Sequence, residues 1–254
     1  MDTTAVLLLA AGFGAGFIDA VAGGGGLVQL PMLLAVFPTA PLATLFGTNK
    51  LASIWGTLAA ATQYTRRVRL PWVTLAAALP TALICAWLGA RAVSVLPSAS
   101  VRPVVLLLLV LVALYTFTRR NLGLRHRPRL SAAAEAASAA LIGAFLGFYD
   151  GLFGPGTGAF LVFLFVRGLG YDFLHASAAA KIVNVATNLA ALAFFLPHAQ
   201  VLWLPAGLLA VSNLLGSLLG AHYALRHGSE FVRRVFLAVV ILLILKLTRD
   251  ALWP

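Results

Sequence analysis

The chain has 254 residues, of which 61% are hydrophobic and only 10% are charged, and its mean hydropathy is +0.99. These values exclude an ordinary soluble protein, and apolar runs such as residues 73–88 are typical of a polytopic helical membrane protein. The net charge of +11 does not indicate nucleic-acid binding, because basic residues in membrane proteins gather in cytoplasmic loops.

Breaks in hydropathy divide each half of the chain into five apolar segments. They span about residues 4–22, 26–37, 43–64, 72–96 and 101–118, then about 132–152, 156–166, 174–196, 203–225 and 231–248. We therefore expect an all-α integral membrane protein with eight to ten hydrophobic helical segments. It forms one transmembrane domain, with repeat 1 at residues 1–120, a basic linker at 121–131 and repeat 2 at 132–254.

A shift of 131 residues aligns the two halves without a gap. It carries Asp19 onto Asp150, Lys50 onto Lys181, and the glycine turn that begins at Gly23 onto the turn at residue 154. Duplication of an apolar unit with ionisable residues at equivalent positions predicts a transporter built from two structural repeats.

Basic residues predict the orientation of the chain. A cytoplasmic linker leaves twelve Lys and Arg residues inside and four outside, in agreement with the positive-inside rule. Because each half has an odd number of elements, the two repeats are expected to be inverted relative to each other. We expect a multi-pass protein of the cell membrane, in bacteria the inner membrane, with both termini outside.

The segments that follow the glycine turns are short. Eleven helical residues span about 16 Å, roughly half of a ~30 Å hydrocarbon core. We therefore predict broken or re-entrant helices, with an ordinary tight hairpin as the alternative.

Both short helices begin at a glycine cluster. The candidate substrate-binding residues here are Gly23, Gly24, Gly25 and Gly26 in repeat 1, and Gly154, Gly156, Thr157 and Gly158 in repeat 2. Glycine permits a sharp turn and a close approach of ligand to backbone, and the first amides of a helix attract anions. The alternative is that these glycines only permit close helix packing. Their duplication beside charged residues favours an anion site.

Four ionisable residues, two in each repeat, lie deepest within the apolar sequence. Asp19 and Asp150 lie near helix ends in apolar sequence, where a carboxylate is disfavoured unless it is protonated or paired with a cation. Lys50 and Lys181 are the candidate partners, within one repeat or across the two. We interpret the lysines as substrate-binding groups and the aspartates as coupling or counter-ion groups, with structural ion bridges as the competing interpretation.

Amide side chains near the lysines complete the candidate site. Asn49 precedes Lys50, while Asn184 and Asn188 follow Lys181 on one helical side. Their donors suit an oxyanion, and they equally suit interhelical hydrogen bonds.

Other polar and aromatic residues receive structural interpretations. Asn213, alone in an apolar helix, is interpreted as a packing residue, and Gln29 is ambiguous. Trp72 and Trp203, at equivalent helix starts, are expected to be interfacial anchors. The five histidines show no metal-ligand spacing on a shared helix face, so we expect neither a metal ion nor a cofactor.

Four stretches of the chain resemble a known family. GFIDAVAGGGG, GFYDGLFGPGTG, GTNKLAS and AAAKIVNVATNLAA are similar to the TauE/SafE membrane permeases, also called the 4-toluene sulfonate uptake permease family. The resemblance covers about residues 5–247. It implies transport of a small sulfur-containing anion such as sulfite or an organosulfonate, bound at residues 23–26, Lys50, residues 154–158 and Lys181.

The leading hypothesis is a secondary anion transporter that works by alternating access around a midplane site, driven by protons through Asp19 or Asp150. No Walker-type segment supports ATP hydrolysis. The alternative is a cation or proton transporter that uses the two aspartates as ligands. An enzyme is disfavoured, because histidines and glutamates lie near predicted loops. The expected partners are a small anion, the lipid bilayer and protons, with homo-oligomers compatible and nucleic acid excluded.

Overall fold

The computed structural model describes residues 3–93, 122–128, 130–199 and 201–252. The first half contains α1 (Thr3–Ala22), α2 (Gly26–Val36), α3 (Leu42–Arg67) and α4 (Trp72–Ala92). The second half contains α5 (Ala132–Leu152), α6 (Thr157–Leu164) with a π-helical turn at Phe165–Leu169, α7 (Phe173–His198) and α8 (Trp203–Leu252). The segment predicted at 101–118 and part of the linker lie outside the described residues.

The predicted all-α membrane architecture is confirmed. Within the described residues, five helices are long and apolar enough to cross a membrane: α1, α4, α5, α7 and the part of α8 that ends at residue 242. The 26 residues of α3 span about 39 Å, which exceeds the ~30 Å core, although α3 is less apolar because it includes Lys50 and two terminal arginines. Helices α2 and α6 are short, as the sequence predicts.

A break at Gly228 separates the two helical segments predicted at 203–225 and 231–248. The chain from Trp203 to Leu252 is helical on both sides of Gly228, where φ is +71° and ψ is −166°. Only glycine adopts this conformation readily. Gly228 therefore interrupts the helix within what hydropathy predicts to be a short connection.

The most extensive helix contacts join one half of the chain to the other. Helix α1 packs along α8, and α4 packs along α5, which are equivalent contacts under the 131-residue shift. A Cβ on Gly16 would lie 2.1 Å from the carbonyl oxygen of Asn213, and one on the equivalent Gly147 would lie 2.6 Å from that of Ala82. Small residues at these positions let the helix backbones approach closely.

Helices α3 and α7, which contain the two lysines, contact each other as well as α8 and α4. The two tryptophans predicted as anchors, Trp72 and Trp203, are the first residues of α4 and α8, and both are exposed. Each lysine-bearing helix therefore contacts a long helix of the other half, α8 in the case of α3 and α4 in the case of α7.

Candidate functional site

The two glycine turns are in direct contact. The backbone N–H of Ala159 donates to the carbonyl oxygen of Gly23 at 3.0 Å. A Cβ added to Gly23 would lie 2.3 Å from the carbonyl carbon of Gly158, and one added to Gly26 would lie 3.6 Å from Cα of Pro155. The two turns, one from each half of the chain, therefore meet at the level of the backbone.

Backbone conformation explains why glycine opens both turns. Gly23 and Gly154 are equivalent residues, and their φ angles are +80° and +84°, in the left-handed region. Hydrogen bonds fix the second turn further, because Thr157 Oγ1 donates to the carbonyl of Gly154 at 2.8 Å and the Tyr149 hydroxyl donates to that of residue 155 at 2.6 Å. The hydroxyl of Thr157 thus has a local structural role.

The buried ionisable residues form two reciprocal ion pairs. Lys50 Nζ lies 2.5 Å from Asp150 Oδ2, and Lys181 Nζ lies 2.8 Å from Asp19 Oδ2. Each pair takes one residue from each half, so pairing is across the repeats rather than within them. The side chains are 6% and 7% exposed in the first pair and 0% and 16% in the second.

Some amides that the sequence assigns to a substrate already have acceptors within the protein. Gly25 N–H forms a long hydrogen bond of 3.4 Å with Asp19 Oδ1, and the N–H of Ala159 is bonded to Gly23. The Asp19 carboxylate thus occupies the start of α2 as an anion would. A substrate that used this helix start would have to displace or neutralise Asp19.

A cluster of neutral polar residues from both halves lies beside α3. Gln29 is fully buried, and its Oε1 accepts from Ser53 Oγ and from Asn213 Nδ2, each at 3.2 Å. Asn213 therefore joins α8 to α2 through an interhelical hydrogen bond, which agrees with its interpretation as a packing residue. Ser53 and Thr57 follow Lys50 by three and seven positions, on the same helical side. That spacing was the available signal for this cluster.

Several buried amide groups have an atom without a hydrogen-bond partner in the described part of the chain. They include Gln29 Nε2, Asn49 Oδ1 and Asn184 Oδ1. The Nδ2 atom of Asn184 points at the second glycine turn, 2.9 Å from a Cβ built on Gly158, and Asn188 is also buried. An unsatisfied buried polar atom costs about 1–3 kcal/mol. Such groups indicate a position where a ligand or water completes the hydrogen bonding.

One predicted site residue faces away from the contact between the turns. A Cβ on Gly24 would lie 2.7 Å from Cγ1 of Val239 in α8 and 3.2 Å from Cγ2 of Ile18. Close helix packing, the alternative considered for all the glycines, accounts for this one.

A second polar cluster joins the linker to the start of α7. His175 Nδ1 lies 2.8 Å and His126 Nδ1 lies 4.0 Å from Asp172 Oδ2, and the two imidazole centroids are 4.1 Å apart. Sequence spacing missed this group because His126 lies far from the others along the chain. One ligand atom from each of the three residues lies within 4.8 Å of the others, close enough to share a metal ion. Hydrogen bonds account for the contact between His175 and Asp172 without one.

Hydrogen bonding controls ionisation in this cluster. Burial would raise the pKa of Asp172, but hydrogen bonds from the ring and the backbone N–H of His175 outweigh burial and lower it. Burial, reinforced by the neighbouring His175, lowers the pKa of His126. Asp172 is therefore a charged N-cap for α7.

Buried charged pairs inside a bundle of membrane-spanning helices are typical of membrane transporters. The fold and the site thus define a multi-pass helical protein of this class. The family model described as "Sulfite exporter TauE/SafE" matches residues 8–247. The chain belongs to this family, and the resemblance found in the sequence is confirmed.

Bacterial relatives support the same class. A probable membrane transporter protein, ORF9, of a Sinorhizobium species is 36% identical, with 97% of this chain and 93% of the relative covered. A probable membrane transporter protein of Haemophilus influenzae is 35% identical, with 97% and 95% covered. The probable membrane transporter protein YfcA of Escherichia coli K12 is 30% identical, with 93% and 87% covered. No solved structure shows a significant match.

Proposed function

We propose that this protein is a secondary transporter of a small sulfur-containing oxyanion, such as sulfite or an organosulfonate, in the bacterial inner membrane. The observation that supports this best is the pair of reciprocal lysine–aspartate contacts beside the joined glycine turns. The description of the family, which names sulfite export, supports the choice of substrate class. We propose that both termini lie on the outer side, because the distribution of basic residues favours that orientation.

Each lysine is neutralised by a carboxylate in this conformation, so an anion has to compete for it. Protonation of the aspartate leaves the lysine as an unpaired buried cation, which is strongly unfavourable. An oxyanion then restores neutrality by taking the position of the carboxylate. Because neither the proton nor the anion is well accommodated alone, the two load together. The same reasoning allows import or export, since the gradients set the direction.

The Lys181–Asp19 pair is the better candidate for this exchange. Asp19 is more exposed than Asp150, at 16% against 7% of the side chain. Its carboxylate is also approached by Gly25 N–H at 3.4 Å and by Thr57 Oγ1 at 3.5 Å. These donors are available to an oxyanion once the carboxylate has been protonated and has moved away.

The two halves provide a route to alternating access. If they are inverted repeats, rocking one against the other exposes a central site to each side of the membrane in turn. The close backbone contact between Gly23 and Gly158 supports a site at the point about which such halves would pivot. The packing of α1 on α8 and of α4 on α5 supplies the surfaces that would shift.

The cation-transport alternative is less well supported. A metal cation at Asp19 or Asp150 would lie beside a lysine ammonium group and meet like-charge repulsion. The cation model predicts that Asp19→Asn abolishes binding while Lys50→Ala spares it. The anion model predicts the reverse dependence on the lysines.

Flux measurements in proteoliposomes test the proposal. We expect the wild-type protein to drive sulfite or sulfonate uptake when an inward proton gradient is imposed, and Lys181→Ala to abolish it. Asp19→Asn is expected to retain some flux that no longer responds to the gradient. Arg69→Ala, an exposed arginine outside the site, is the control and should behave as wild type. Absence of flux of every sulfur oxyanion tested, under either gradient direction, would overturn the proposal.

A further inference from the structure

A groove on the surface between α3 and α8 combines apolar walls with a basic end. Its volume is about 730 Å³. Three guanidinium groups line it, from Arg66, Arg67 and Arg226. Three leucines on α8 form its apolar wall, namely Leu215, Leu218 and Leu219, and all three are exposed. No carboxylate lines the groove or pairs with these arginines among the residues that the structure describes.

The duplicated chain provides an internal comparison for this groove. The 131-residue shift relates Gln63 to Phe194 and Leu218 to Trp87. The rings of Trp87 and Phe194 pack edge to face, with centroids 6.2 Å apart. The guanidinium group of Arg91 lies over the Trp87 ring, 5.9 Å from its centroid. The space between α4 and α7 is thus filled by the protein's own side chains, whereas the equivalent space between α3 and α8 is open.

The lining of the open groove matches one kind of occupant. An apolar wall suits acyl chains, and clustered arginines suit a phosphodiester, to which guanidinium groups donate in parallel pairs. The arginines belong to the end of α3 and to α8 just before Gly228, so they lie together at one end of the leucine wall. A free phosphate or sulfite ion would use the arginines but would leave the apolar wall uncovered.

We infer that this groove binds an anionic phospholipid, with its phosphate on Arg66, Arg67 and Arg226 and its chains along the leucines of α8. Bound lipid would cover the surface that Trp87 and Phe194 cover in the other half. The site is separate from the two lysine–aspartate pairs and does not depend on the proposed transport function.

Lipid titration of the purified full-length protein in detergent tests this inference, with native mass spectrometry and thermal unfolding as readouts. Phosphatidylglycerol is expected to bind and raise Tm, while phosphatidylcholine has a much weaker effect. The triple variant R66Q/R67Q/R226Q should lose about tenfold or more in affinity for phosphatidylglycerol. The matched control R69Q/R125Q/R127Q removes the same charge from exposed positions outside the groove and should bind as wild type.

A second variant tests the groove while keeping its charge. The double substitution Q63F/L218W reproduces the aromatic filling of the other half, and it should exclude the lipid while leaving the protein folded and at least as thermally stable. Equal lipid affinity of the wild type and the arginine or aromatic variant would overturn the inference. An equal loss in the control triple variant would also overturn it, since binding would then reflect overall charge. Stabilisation by inorganic phosphate or sulfite equal to that by phosphatidylglycerol would indicate an anion site and contradict lipid binding.

Discussion

The two lysine–aspartate pairs occupy equivalent positions in the duplicated chain but have different surroundings. The Lys50–Asp150 pair is short, at 2.5 Å, and both of its side chains are buried. In the Lys181–Asp19 pair, at 2.8 Å, the lysine is fully buried and the aspartate is partly exposed. The two pairs related by the 131-residue shift are therefore alike in pairing and different in environment.

Polar substitutions account for most of the divergence. Gln29 and Asn213, which are hydrogen-bonded to each other across the two halves, correspond to Phe160 and Ala82 under the 131-residue shift. Thr57, which approaches Asp19, corresponds to Asn188. We interpret the environment of the Lys181–Asp19 pair as the one adapted to exchange protons and ligands. The environment of the Lys50–Asp150 pair is interpreted as the one adapted to hold the halves together.

Removal of one lysine is expected to have the largest effect on stability. Lys50→Met leaves the Asp150 carboxylate buried without a partner, and loss of one member of a buried pair costs about 3–5 kcal/mol. The double variant Lys50→Met/Asp150→Leu should recover most of that loss, because an apolar replacement of the whole pair is often neutral. Thermal unfolding in detergent measures both.

The same substitutions at the other pair sharpen the comparison. Lys181→Met leaves Asp19 partly exposed to water and with Gly25 N–H and Thr57 nearby. The loss of stability should therefore be smaller for Lys181→Met than for Lys50→Met. Equal losses at the two pairs would contradict the assignment of different roles.

Alanine substitutions at the equivalent turn glycines should also differ. Both Gly23 and Gly154 have positive φ, so alanine costs about 1–2 kcal/mol at either residue. At Gly23 the new Cβ would also lie 2.3 Å from the backbone of Gly158, whereas at Gly154 the nearest atom is 3.3 Å away. Overpacking adds about 1–3 kcal/mol. We therefore expect Gly23→Ala to lower Tm more than Gly154→Ala, and the reverse order would exclude contact between the turns.

A substitution in the polar cluster around Gln29 is expected to have a smaller effect on stability. Asn213→Ala removes one of the two donors to Gln29 Oε1 and should cost about 1–3 kcal/mol. Ser212→Ala is the matched control, because within the described part of the chain the hydroxyl of Ser212 bonds only to carbonyls of its own helix. If both variants unfold at the same temperature, the Gln29–Asn213 hydrogen bond contributes nothing specific.

The smallest predicted difference in stability concerns the residues that precede α3 and α7. Asp172 caps α7 through its side chain, whereas the equivalent residue before α3 is Pro41, which has no capping group. Asp172→Ala should cost about 1 kcal/mol at neutral pH. The folded state lowers the pKa of Asp172 below its unfolded value of about 3.9. Its ionic contribution is therefore present above that pH and is lost as the pH falls through the folded pKa.

Unfolding temperatures of the wild type and Asp172→Ala across pH 3–7 measure this contribution. The difference between them should shrink at the acidic end. Asp172→Asn, which retains a capping side chain, should lie between the two at neutral pH. A difference that grows on acidification would show that the carboxylate does not stabilise the cap.

The bounds of a helix could be predicted where a change in hydropathy marks both of its ends. Residues 132–152 form α5 as predicted, because polar residues and a glycine turn bound that apolar run. The segments at 203–225 and 231–248 were also predictable, because the short polar stretch that separates them contains the helix break at Gly228.

The candidate site was predictable in composition but not in connectivity. The four charged residues were identified from their positions in apolar sequence. Their pairing depends on packing between residues that are far apart along the chain. Lys50 and Asp150 are separated by 100 positions, and Lys181 and Asp19 by 162. No local sequence pattern specifies such contacts. The hydrogen bond between Gln29 and Asn213 depends on the same long-range packing.

Ligand-dependent thermal stability of the wild type and of the variant with both Lys50→Ala and Lys181→Ala tests the central claim most directly. The ligands are sulfite, sulfate, sulfoacetate, phosphate and chloride, each measured at two pH values. We predict that at least one sulfur oxyanion raises Tm of the wild type, more strongly at the lower pH, and leaves the double variant unchanged. Equal stabilisation of both proteins, or no stabilisation of the wild type by any of these anions, would contradict an anion site built on the two lysines.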